Sequence, residues 1–275
     1  AADQAVGGIN RLVQGLQQLG QHVPGPDAHQ VGGAQAAGGD HARDSLNVAI
    51  KHAQTHSEKA FLQNVLFWEL KDRNPAEALE QATSGIALAG RADDTSTLAL
   101  LHKTTGVIYW YMADYPGAER HLLIALEKYR RINHRQGVAN VLNNLGLVTQ
   151  ASGDHAKAIR YLDQSVAIRE LIGDRAGVAN SCNNIGIMHF MAGEYEAALE
   201  RHLRALAIWD EINHFEGRAF SLMNIGRIHL ELRRLDEAMG HFSRALDIHL
   251  FTQNLRGQAD AYTNIADVHL LQQAY

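Results

Sequence analysis

The chain has 275 residues, 46% hydrophobic and 20% charged, with a formal net charge of -5; that balance suits a soluble globular protein with a sizeable core. One cysteine, Cys182, excludes an intramolecular disulfide framework and a multi-thiolate metal centre. No apolar run reaches the ~20 residues of a membrane span, no signal peptide is legible, and no Lys/Arg cluster offers the phosphate-neutralising surface that nucleic acid requires. The expectation is a cytoplasmic segment that binds neither membrane nor nucleic acid. Its first residue is Ala1 rather than Met, which suggests a piece of something longer.

Residues 1–40 read as an N-terminal arm and flexible linker. They hold nine of the 24 glycines and no aromatic residue. Ile9, Leu12, Val13, Leu16 and Leu19 recur at helical spacing and predict a short amphipathic helix, whereas residues 20–40, with Pro24, Pro26 and two Gly-Gly pairs, predict a linker. A single helix is expected over 41–56. The four prolines are Pro24, Pro26, Pro75 and Pro116, so the last 150 residues carry nothing that interrupts a helix.

From residue 41 to 275 the chain repeats with a period of 40. Gly106, Gly146, Gly186 and Gly226 form one series, continued by Ala266; Gly137, Gly177, Gly217 and Gly257 form a second; Ala78, Ala118, Ala158, Ala198 and Ala238 form a third. Each unit reads as two antiparallel helices, for example 177–192 and 196–212, joined by a turn at 193–195. Two helices approach closely only where a side chain is nearly absent, so Gly146 in the first helix and Ala158 with Ser165 in the second mark a contact line. One unit cannot bury Leu142, Leu145, Val148, Ile159, Leu162, Val166 and Ile168 alone. Stacked units can, and their first helices would line a concave face. An unpaired last helix over 257–271 is expected to expose Ile265, Val268 and Leu271, so more chain or another subunit should cover that edge.

These residues carry a resemblance. Residues 139–168, with Leu142, Leu145, Gly146, Gly153, Ala158, Ser165 and Val166, resemble the tetratricopeptide repeat, as do residues 179–208 with Ile185, Gly186, Gly193, Tyr195, Ala198 and Ala205. The resemblance spans about 59–275: five helix pairs, the first with Leu66 in place of the glycine, and one unpaired helix. It implies an all-α, right-handed superhelical solenoid. The 40-residue form is similar to the arrays of Pins/LGN adaptors, kinesin light chains and the sensor halves of bacterial AfsR/SARP and MalT-like transcription regulators.

A ladder of asparagines is the most informative polar feature. Asn64, Asn144, Asn184, Asn224 and Asn264 stand at the repeat spacing, interrupted by Thr104, and Asn140, Asn143, Asn180 and Asn183 add rungs on the same helical face. A carboxamide both donates and accepts, so such a row can satisfy the backbone of an extended peptide. The competing expectation is that each asparagine bonds a neighbouring helix. Ile187, Phe190, Phe220, Met223 and Arg227 complete the candidate peptide-binding surface, and ordinary packing between units is the alternative for the apolar members. His189, His229 and His269 repeat at 40 without a second ligand at i+4, and His52 and His56 have no further ligand nearby, so no metal site is expected. No phosphate loop or nucleophile elbow occurs. The expected function is a non-catalytic peptide- or protein-binding scaffold without a cofactor, serving as the regulatory or sensor module of a larger bacterial protein such as a transcription regulator. The alternative is a module that forms homo-oligomers through its open C-terminal edge.

Overall fold

The computed structural model describes residues 36–71 and 73–273. Among the described residues are twelve helices and no strand. They are α1 (Ala36–His52), α2 (His56–Leu70), α3 (Pro75–Arg91), α4 (Thr95–Tyr111), α5 (Tyr115–Arg131), α6 (Arg135–Ala151), α7 (His155–Leu171), α8 (Arg175–Met191), α9 (Tyr195–Glu211), α10 (Phe215–Glu231), α11 (Leu235–Phe251) and α12 (Leu255–Gln273). The helix predicted at 9–19 lies outside the described residues. α1 starts inside the stretch read as linker: Ala36 and Ala37 begin a helix that runs through Gly38 and Gly39, although each helical glycine costs about 1 kcal/mol relative to alanine.

The chain forms two compact units, divided at residue 137 near the start of α6. In the first, α2 packs on α3 and α4 on α5, with Leu66, Phe67 and Ile108 in one buried cluster. In the second, α8 pairs with α9 and α10 with α11, and each pair packs on the next helix in the chain. Two clusters fill it, one around Leu162, Cys182, Ile185 and Trp209, the other around Leu222, Ile225, Phe242 and Val268.

The 40-residue period divides into two equal steps. Helices α3 to α11 each have 17 residues and are joined by connections of three. The middle residue of each connection is left-handed: Gly153, Gly173 and Gly193, but also Asp93, Ala113, Asn133, Asn213, Arg233 and Gln253. This conformation lets the third residue's N–H reach back to a carbonyl in the last helical turn, as from Asp174 to Arg169 at 2.9 Å and from His214 to Trp209 at 3.0 Å, which satisfies helix-end carbonyls that water would otherwise have to reach.

The first glycine series is the predicted contact line. A Cβ on Gly146 would lie 2.7 Å from Leu162 Cγ, one on Gly186 2.6 Å from His202 Nε2, and one on Gly226 2.5 Å from Phe242 Cε1. Ala118, Ala158, Ala198 and Ala238 are fully buried. In α12 the corresponding Ala266 is exposed, with no second helix packed on it among the described residues. The apolar residues left open there are not those expected. Val268 is fully buried and Ile265 and Leu271 are half-buried, since they sit on the side of α12 turned toward the preceding pair; Leu255, Tyr262 and Leu270 face outward instead.

Candidate peptide-binding face

Apart from Asn64 on α2, the asparagines lie on the first helices of the second unit, α6, α8, α10 and α12, and they divide into two depths. Asn143 and Asn183 are inside, at 8% and 2% exposure. Asn143 Oδ1 accepts from Ser181 Oγ at 3.2 Å and from Asn184 Nδ2 at 3.2 Å. Asn183 Oδ1 accepts from Ser221 Oγ at 3.1 Å and from His202 Nδ1 at 2.9 Å. Each carboxamide oxygen therefore ties a first helix to the next first helix, and its two lone pairs are filled. In the first unit a different pair of positions makes a tie between first helices: Thr104 Oγ1 donates to Asn64 Oδ1 at 2.9 Å, both residues standing in the register of Asn144. Met223, at 8% exposure, belongs to the apolar cluster beneath. These three expected lining residues support the face rather than present it.

Asn140 is half-buried and tied to its own pair: Arg169 Nη2 donates to its Oδ1 at 2.8 Å. The same guanidinium donates to Ser165 Oγ at 3.0 Å and to Asp174 Oδ2 at 2.6 Å, and Ser165 Oγ donates to the Ala139 carbonyl at 2.9 Å. Asn264 donates to the Asp260 carbonyl of its own helix at 2.6 Å.

What remains at the surface is Asn180, exposed, with Asn144, Asn184, Ile187, Phe190, Phe220 and Asn224 half-buried and Arg227 exposed. Phe190 leans on Tyr195 with ring centres 5.7 Å apart. Exposed Met191 joins them, its sulfur accepting from Gln150 Nε2 at 3.3 Å. Asn224 differs from its counterpart. Asn184 donates back to Asn143, but the equivalent acceptor for Asn224 is Asn183 Oδ1, already filled by Ser221 and His202, so the Nδ2 of Asn224 is buried without a partner.

His202 causes that difference. It occupies the position of Leu122, Leu162 and Phe242 and is 1% exposed. Burial pushes its imidazole down to about 4, so it is neutral and its Nδ1–H donates to Asn183. Sequence reading passed over His202, Ser181, Ser221 and Arg169, although Ser181 and Ser221 share the 40-residue spacing. Of the repeated histidines, His189 Nδ1 meets Glu194 Oε2 at 2.5 Å, His229 stacks on His241, and exposed His269 meets Gln272. Among the described residues no group of three or more His, Cys, Asp or Glu side chains is arranged to hold a metal ion. No helix among them is long and apolar enough to cross a membrane.

Equal helices on equal joints, stacked in pairs about small-residue contacts, define an all-α helix-pair repeat protein, a class that works as a scaffold. The tetratricopeptide repeat family model matches residues 94–171, 137–211 and 176–250, more than half of the chain, and the chain belongs to that family. No curated relative matches the sequence. Among solved structures the fold is similar to BtubC (BKLC) from P. vanneervenii, at 18% identity and TM-score 0.69 over 80% of this chain and 91% of that one. It is similar to a Rap protein complexed with competence and sporulation factor, at 14% identity and TM-score 0.62 over 86% of this chain and 71% of that one. It is also similar to a signal transduction ATPase with numerous domains, carrying a tetratricopeptide repeat sensor, from Pyrococcus horikoshii: 17% identity, TM-score 0.62, over 84% of this chain and 38% of that one.

Proposed function

We propose that the chain is a non-catalytic peptide-binding array whose second unit holds an extended segment on the face built by α6, α8 and α10. Exposed Asn180 and half-buried Asn144, Asn184 and Asn224 offer donors and acceptors to the segment's backbone, Ile187, Phe190 and Phe220 receive its apolar side chains, and Arg227 meets it at the α10 end. Asn140 and Asn264 flank this stretch. Asn143, Asn183 and Met223 act from below by fixing the spacing of the helices. The observation that carries this reading is the Asn224 amide, a buried donor without a partner beneath the ladder's face, which costs about 1–3 kcal/mol and which a ligand would relieve once the half-buried side chain turns outward. The placing of the array within a larger bacterial cytoplasmic regulator, as its sensor module, belongs to the same proposal; the sensor array of the Pyrococcus protein and the factor-bound Rap protein support it by likeness of fold.

The test is selection of a displayed library of random extended peptides on the purified chain. Binders should lose at least tenfold in affinity when Asn180, Asn184 and Asn224 are all changed to Ala, with the helical circular dichroism unchanged. Binders indifferent to that triple change would overturn the assignment of the face. A second reading, self-association, has its own observation: Phe251, Leu255, Tyr262 and Leu270 are exposed at the last helices. Leu255→Glu with Leu270→Glu should then convert an oligomer to a monomer in analytical ultracentrifugation, without affecting peptide binding.

A further inference from the structure

In most of the three-residue connections the closing residue also caps the next helix with its side chain; Glu194 and Arg234 make no such bond. Asp94, Asp114, Asp154, Asp174 and Asn254 accept the backbone N–H three residues on, for example Asp174 Oδ1 from Gly177 at 2.9 Å. In two joints the acceptor is an imidazole. His134 Nδ1 accepts from the Gly137 N–H at 2.9 Å, and His214 Nδ1 accepts from the Gly217 N–H at 3.0 Å. Both rings lie over the aromatic side chain that ends the preceding helix, His134 on Tyr129 at 5.2 Å and His214 on Trp209 at 4.7 Å between centres. The capped glycines are pressed against the same aromatic rings, so a Cβ at either would collide with Tyr129 or Trp209. The other two members of the second glycine series, Gly177 and Gly257, are capped by Asp174 and Asn254, and a Cβ at them would meet Arg169 and Asp174, or His249, instead.

An imidazole accepts at Nδ1 only while that nitrogen carries no proton, which makes both rings the neutral Nε2–H tautomer. A proton on Nδ1 and the cap bond exclude each other, and the proton would also place a full charge beside the positive end of the helix dipole. Acid therefore favours the uncapped joint. Near His214 the charged groups are Glu216, whose Oε2 is 3.5 Å from Nε2, then Asp210 paired with Arg218, and Glu211 paired with Arg175. Near His134 they are exposed Arg130, Arg131 and Arg135 in the adjoining helix ends, which oppose a charged ring. The carboxylate and carboxamide joints have no such exchange.

We propose that the His134 and His214 joints are pH-sensitive clasps, each releasing the first turn of the helix it caps when its ring takes up a proton. The released turn at His214 belongs to α10, the helix that carries Phe220, Asn224 and Arg227. Neither clasp needs a bound peptide in order to open. Nitrogen-15 spectra of the histidine rings at neutral pH should show the Nε2–H tautomer at His134 and His214; an Nδ1–H tautomer at both would overturn it. Between about pH 8 and about pH 5, the range in which imidazoles generally change charge, hydrogen-exchange protection of the Gly217 amide, corrected for intrinsic rates, should fall about fivefold relative to Gly177, which Asp174 caps. His214→Asn, which copies the chemistry of the Asn254 joint, should remove that fall while keeping the cap. Gly217 following Gly177 across the range in the native chain would sink the proposal.

Discussion

The pairs α8–α9 and α10–α11 have the same lengths, the same joints and the same glycine at the crossing, yet the side chain over that glycine is His202 in one and Phe242 in the other. Over Gly226 the phenylalanine fills the space and has no polar obligation. Over Gly186 the imidazole fills it and must also be bonded, so it takes a lone pair of Asn183 that the repeat would otherwise give to Asn224. Geometry is common to the repeats; one core substitution decides which rung of the ladder is left unsatisfied.

The comparison breaks most completely at the shared glycine. Gly226→Leu drives a branched side chain into the Phe242 ring and should destabilise the second unit by about 3 kcal/mol or more in urea unfolding, whereas Gly240→Ala in α11, whose Cβ meets nothing within 4 Å, should stabilise it by about 1 kcal/mol. The histidine itself separates the pairs by pH. His202 is held at about 4 against 6.5 in the open chain, so its neutral form is favoured by folding and stability is complete above 6.5 and lost as pH falls toward 4. His202→Leu should recover about 3 kcal/mol at the acid end while changing nothing in the sign of the trend from other groups. A smaller effect sharpens the two depths of the ladder. Asn183→Ala leaves the His202 and Ser221 donors without an acceptor and should cost about 2 kcal/mol, while Asn180→Ala should stay within about 0.5 kcal/mol by the same unfolding measurement.

Much of the architecture was legible because helix crossings need small residues at fixed intervals, and Gly106, Gly146, Gly186 and Gly226 announce those intervals. The even division of the period was harder to see. Its joints use Gly, Asn, Asp, Ala, Arg and Gln in one left-handed position, so no single residue type marks it. The candidate site was legible as a face and not as a surface. Asn143 and Asn144, or Asn183 and Asn184, are adjacent in the chain and chemically identical, and the turn of about 100° between helical neighbours puts one against the next helix and the other at its rim. Val268 on α12 was misplaced for a related reason: its contacts come from the preceding pair, which helical periodicity within α12 alone does not reveal.

The uniformity of the connections has a genetic consequence. Because every joint from α3 onward closes in the same way, the backbone would accept removal of any single helix without strain, but the helix then following would present its outward residues to its neighbours. Excising one whole pair preserves both. Whole-pair duplication and loss are therefore the editing steps that such a gene tolerates, and a variant lacking 175–214 should fold where one lacking 175–194 should not.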